Sequence, residues 1–182
     1  FSYTPFRALK KILSIKEISM EQEQFIHQFK SLDDLQKIIE QLSRFAARPV
    51  ARGSHPTIYP QTNEGPYRTI EGVRIIDYKF SADEKWVLPD DQRGLSFSTN
   101  WKELKRVYRL FARSKKSGID VYWVLQSADL PSNMKFVEDK DPKKKGHYFL
   151  TVTEPMSIYK LVQNLKWIAD RMAIIKNAEN AL

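Results

Sequence analysis

Cysteine is absent from the 182 residues. Disulfide staples, thiolate zinc sites and a cysteine nucleophile are therefore excluded. Long apolar runs are also missing. The longest, such as Val121 to Leu125, are strand-sized and far short of the ~20 residues of a transmembrane helix, so no membrane span is expected. Glycine is scarce, at six residues. No phosphate-cradling glycine loop and no Gly-x-Ser-x-Gly elbow occurs, which removes P-loop nucleotidases and α/β-hydrolases. The three histidines, His27, His55 and His147, stand apart from one another and from metal-spaced carboxylates, so no metal site is expected. Phe1 to Ile18 lacks a continuous apolar core and a small-residue cleavage site, so it does not read as a signal peptide. With Phe rather than Met at position 1, the chain reads as a fragment or processed piece.

What the chain has in excess is positive charge. Thirty Lys and Arg face twenty-two Asp and Glu, a net +8. That balance favours polyanionic partners: nucleic acid, nucleotide phosphates, an acidic protein or an anionic surface. The length fits one ordinary domain with an appendage.

Apolar residues at Phe25, Phe29, Leu32, Leu35, Ile39, Leu42 and Ala46 recur at helical spacing. Ser19 with Gln22 forms a capping-box pair, and Ser31 with Asp34 offers a second N-cap. Two helices are expected, over 20–30 and 32–47, or one long helix with a break. Residues 48–65 carry Pro49, Pro56 and Pro60 among polar residues and read as a linker or an extended wrap. The expected organisation is a helical N-terminal module over 1–47, that proline-rich linker, and a core over 66–182. The N-terminal helices either form a separate module or complete the core.

Within the core, Tyr67–Ile70 and Val73–Phe80 read as a strand pair around Glu71-Gly72. Trp86–Leu88, Leu95–Ser98, Val121–Gln126, Lys135–Glu138 and His147–Thr153 read as further strands. Asn100 caps a helix over 101–114, and Ser157 caps a terminal helix with Leu161, Leu165, Ile168 and Met172 on one face. The irregular alternation favours an α+β class with two small, mostly antiparallel sheets.

Three clusters could carry chemistry. Lys102 to Lys116 holds seven cations against Glu103, on a helix whose opposite face carries Leu104, Val107, Tyr108 and Phe111. It is either a phosphate- or partner-binding face or a solvated one. Asp139 to Gly146 is a basic loop that either steers anions or is merely solvated. Tyr67-Arg68 and the run Ser96-Phe-Ser98-Thr99 place a forked cation and two same-face hydroxyls on strands. They either brace a cleft or are structural.

At these residues the chain resembles the type VI secretion exported toxin family (its second effector type), whose fold is of the ADP-ribosyltransferase type. The resemblance spans about 66–176. It is carried by Gly94-Leu-Ser96 before a helix, by Asp129-Leu-Pro131 through Asp139, by His147-Tyr148, and by Pro155-Met156. The aromatic-arginine step of the family's first strand is similar to Tyr67-Arg68, and Phe6-Arg7 reads the same way. No Glu-x-Glu or Gln-x-Glu motif follows the Ser96-to-Thr99 run, and Glu154 is the nearby acid on the corresponding segment.

The resemblance implies an injected toxin acting in a bacterial target cytoplasm, with an NAD-binding cleft. Tyr67 and Arg68 would hold the cofactor, and Ser96, Ser98 and Thr99 would brace its nicotinamide-ribose end. Its partners would be an acidic immunity or antitoxin protein, docked on the basic helix, and the delivery machinery. Two alternatives stand beside it. One is a ribonuclease or other nucleic-acid-acting toxin using His147 with Glu138 or Glu154 as acid and base. The other is a non-enzymatic binder.

Overall fold

A single proline redirects the reading of the N-terminal half. In the computed structural model, which describes residues 28–114 and 118–178, the helix begun at Leu32 ends at Ile39 (α1). The expected 32–47 helix is corrected there. Arg44 takes a left-handed φ of 52°, and Phe45–Ala51 runs on as a strand (β2). Pro49 cannot donate into a helical ladder, and Phe45, Ala46 and Ala47 are all buried. A strand covered on both faces carries a continuous apolar run, so its leucine-like spacing from Leu42 to Ala46 mimicked a helix. The boundary expected at 47/48 falls inside β2. Ser31 does cap α1, its Oγ accepting the Asp34 N–H at 3.2 Å. The Ser19 cap, Phe25, Lys115 and Lys116 lie outside the described residues, as does most of the 20–30 helix; its described end, Gln28–Phe29, is a strand (β1).

Most remaining elements follow, with two corrections: the expected Val73–Phe80 strand is split into Val73–Arg74 and Lys79–Phe80, which lie in different sheets, and the terminal helix ends at Ala169, short of Met172. Thr69–Ile70 (β3) and Val73–Arg74 (β4) form a hairpin around Glu71-Gly72, both with positive φ, as a two-residue turn of this kind requires. Lys79–Phe80 (β5) and Trp86–Leu88 (β6) come next, then Leu95–Ser98 (β7). The helix Trp101–Ser114 (α2) starts where Asn100 Oδ1 accepts the Glu103 N–H at 2.9 Å. Ile119–Leu125 (β8), Met134–Glu138 (β9), His147–Val152 (β10) and Met156–Ser157 (β11) follow. The helix Ile158–Ala169 (α3) is capped by Ser157 as expected. Ala173–Asn177 (β12), unforeseen as a strand, closes the described chain.

The fold is α+β. The expectation of two small sheets is corrected: one seven-stranded mixed sheet dominates, ordered β1-β12-β8-β2-β7-β10-β9, beside a three-stranded and a two-stranded sheet. Among the described residues only β1–β12 is parallel. The large sheet nonetheless has a weak seam. β2 registers along its whole length with β8 but meets β7 at the single pair Ala47–Ser98. Beyond Ala47 the β7-facing side of β2 is unpaired, which is where a strand tolerates Pro49. Alternation along the strands feeds two cores. Phe45, Ala47, Val121 and Ile175 pack with α1 and α2. Ala46, Phe97, Val124 and Leu150 pack with α3 on the other face.

Candidate functional site

The seam between β2 and β7 holds the least satisfied charge in the described chain. Arg48 follows Ala47 on β2 and points to the α3 face, where its guanidinium lies 5.7 Å from the Phe97 ring centre and 5.8 Å from that of Tyr59. Its Nη2 donates to the Tyr59 hydroxyl at 2.9 Å. Its Nε and Nη1 are buried and have no acceptor. Leaving a buried donor unmatched costs about 1–3 kcal/mol, and more when it is charged.

Tyr59 gathers a second cation. The Arg74 guanidinium, on β4, sits 3.6 Å from the Tyr59 ring centre and 5.0 Å from that of Tyr67. Neither Arg48 nor Arg74 has an ion pair among the described residues. The carboxylate that feels both is Asp77. Burial pushes its pKa above the ordinary carboxyl value, and Arg48 and Arg74 only partly oppose that. Tyr78, next in sequence, is buried and donates its hydroxyl to the Leu150 carbonyl at 2.8 Å, which fixes Asp77 against the sheet.

Two local features place Tyr59 here. The Tyr59 N–H donates to the Gly72 carbonyl at 2.9 Å, tying the loop to the β3–β4 turn. The His55 Nδ1 accepts the Thr57 and Ile58 N–H groups at 3.2 and 3.1 Å. Gly72, at φ +85°, lies against Ile58, so a side chain there would strike it.

The residues singled out in the sequence do not converge. Arg68 makes a two-pronged ion pair with Glu84, one prong at 3.2 Å, so its fork is occupied. Tyr67 is exposed and reaches the site only through Arg74. Ser96 and Ser98 do share a face of β7, but it is the face opposite Phe97 and Arg48; Ser96 is exposed and Ser98 buried. Thr99 spends its hydroxyl on the Gly146 carbonyl at 2.9 Å. His147, opposite Ser98 on β10, is buried, with Nδ1 2.7 Å from Asp139 Oδ2. Burial works against ionisation of Asp139, but the Asp141 N–H, His147 and Lys144 outweigh it and hold its pKa below the ordinary value. Glu154 is exposed beyond the far end of β10 from His147. Glu138, on β9, is exposed as well.

Arg48, Tyr59, Arg74 and Asp77 were not identified from sequence. Arg48 and Tyr59 lay in the expected proline-rich linker, and Arg74 in a strand with no distinguishing neighbour. The one available signal was the apolar run Phe45–Ala47 leading into Arg48, which the structure shows to be one strand, Phe45–Ala51. Among the described residues no cluster of His, Asp and Glu is arranged to hold a metal ion. No family model, curated protein or solved structure matches the chain.

Proposed function

We propose that the chain is a bacterial toxin domain whose β2–β7 seam binds an NAD-type dinucleotide, with Arg48 rather than Arg68 as its phosphate-holding arginine. The observation that carries this reading is the pair of buried, unmatched Arg48 N–H groups. A pyrophosphate supplies the acceptors they lack, and forked guanidinium–phosphate contacts are the strong, oriented kind. Arg74 adds a second charge, and the Tyr59 and Tyr67 rings offer aromatic faces for a base or nicotinamide ring. The residues therefore fit the group. The Tyr59 side chain covers Arg48 and moves aside as the phosphate enters.

NAD would supply an activated ADP-ribosyl group, and the protein's part is to hold its phosphates and shield its ring. Asp77 is the carboxylate beside the two arginines, whereas Glu154 stands apart from them. The resemblance to secreted toxins supports the effector role, with an acidic neutralising protein and a delivery apparatus as partners.

The test is titration of the full chain with NAD, followed by calorimetry or chemical shifts. Arg48→Ala is expected to weaken binding about ten- to a hundredfold, the equivalent of one charge-assisted hydrogen bond or more. Arg68→Ala is expected to leave it unchanged. No binding at about millimolar NAD, roughly −4 kcal/mol on the affinity scale, sinks the proposal.

A further inference from the structure

On the opposite side of the sheet from Arg48, the outer face of α2 carries a second feature that the nucleotide site does not use. A groove of about 460 Å³ runs along this helix, from Trp101 to Arg113. Five cations line it: Lys102, Lys105, Arg106, Arg109 and Arg113. They are not equivalent. Arg106 is already paired with Glu103, its Nη2 2.6 Å and its Nε 3.0 Å from the carboxylate. Lys105 sits 6.0 Å from the Trp101 ring centre. Lys102, Arg109 and Arg113 have no ion pair among the described residues. In their midst is Leu110, which is 50% exposed although the inward face of the same helix buries Leu104 and Tyr108.

We propose that this groove docks an acidic protein segment which places an apolar side chain on Leu110 and Trp101 and sets carboxylates against Lys102, Arg109 and Arg113. The charge arrangement favours an anionic occupant, because three cations without an ion pair share one helix face at spacings of about one or two turns. The apolar centre selects a protein over a nucleic acid. A phosphate backbone gains nothing from an exposed leucine. A protein interface is built around such an apolar anchor with a charged, arginine-rich rim. The positive field around the groove speeds the encounter and makes it sensitive to salt.

The experiment uses the full chain and two probes of equal charge. One is a helical peptide of about 20 residues, with glutamates spaced to face the three cations and one central leucine. The other is an oligouridylate. The peptide is expected to bind at least tenfold more tightly than the oligouridylate. Leu110→Ser is expected to cost about tenfold in peptide affinity and nothing in oligouridylate affinity. Arg109→Glu with Arg113→Glu is expected to weaken both at least tenfold and to flatten the salt dependence of what remains. All of these positions are exposed, so unchanged circular dichroism and melting verify the fold of each variant. Equal affinity for the two probes, or a peptide affinity indifferent to Leu110→Ser, overturns the proposal in favour of a nucleic-acid surface. Binding of neither probe overturns it in favour of a solvated helix face.

Discussion

At the scale of single residues, Arg48 separates stability from function. A buried guanidinium with two unmatched N–H groups is a local cost, and a well-packed apolar side chain removes it. Arg48→Met is therefore expected to melt at or above the wild-type temperature, by the equivalent of about 1 kcal/mol, while losing NAD affinity. A melting temperature well below wild type would mean that the Tyr59 and Phe97 contacts make Arg48 a structural residue. Asp77 gives a second test with a defined sign. Its pKa is raised by burial. Its neutral form therefore adds stability below the ordinary carboxyl pKa of about 3.9, and that contribution is lost as pH rises through the folded value. Asp77→Asn should then gain stability relative to wild type at pH 7 and lose that advantage near pH 3.5; parallel melts at both values measure it.

Among the elements, the strand clamp Asp139–His147 and the Gly72 turn are the informative parts. Asp139 has a lowered pKa, so its contribution is present above about pH 3.9 and is lost as pH falls through its folded value. Asp139→Asn weakens the contact to His147 and is expected to cost about 1–3 kcal/mol in chemical denaturation at pH 7. It should leave NAD affinity intact, because β10 presents His147 on the face away from Arg48. Gly72→Ala works the other way. Its positive φ strains any side chain, and the added Cβ displaces Ile58 beside Tyr59. It is expected to weaken NAD binding several-fold through the loop, in addition to costing about 1 kcal/mol of stability. An unchanged NAD affinity would separate Tyr59 from the site.

For the whole molecule, the decisive fact is that β2 lies in the middle of the seven-stranded sheet. A chain beginning at Gly65 lacks β1, α1 and β2. It loses the buried side chains of Phe29, Leu35, Ile39, Phe45 and Val50. Each is worth about 1.5–3 kcal/mol, so together they reach the ~5–15 kcal/mol of a whole domain. Such a truncation is expected to show no cooperative melt by circular dichroism. A sharp transition would instead make residues 66–178 a self-sufficient core.

The sequence alone determined those elements whose signals are local. α2 and α3 carry an N-cap and a one-sided apolar stripe, and both are fixed by contacts within a few residues. The hairpin at Glu71-Gly72 is fixed by two backbone conformations that few residue pairs adopt. The basic face of α2 is likewise legible, since charge and helical period are both written in sequence. Tertiary structure alone decided the rest. Whether Phe45–Ala47 continues a helix or fills a strand depends on β8 being there to pair with it. Whether Arg68 is free depends on Glu84, sixteen residues on. Arg48, Tyr59, Arg74 and Asp77 meet because the chain passes from β2 through a loop and a small hairpin back to the same seam. A site assembled from side chains on separate elements leaves no spacing in the sequence, because the distances that define it run through space rather than along the chain.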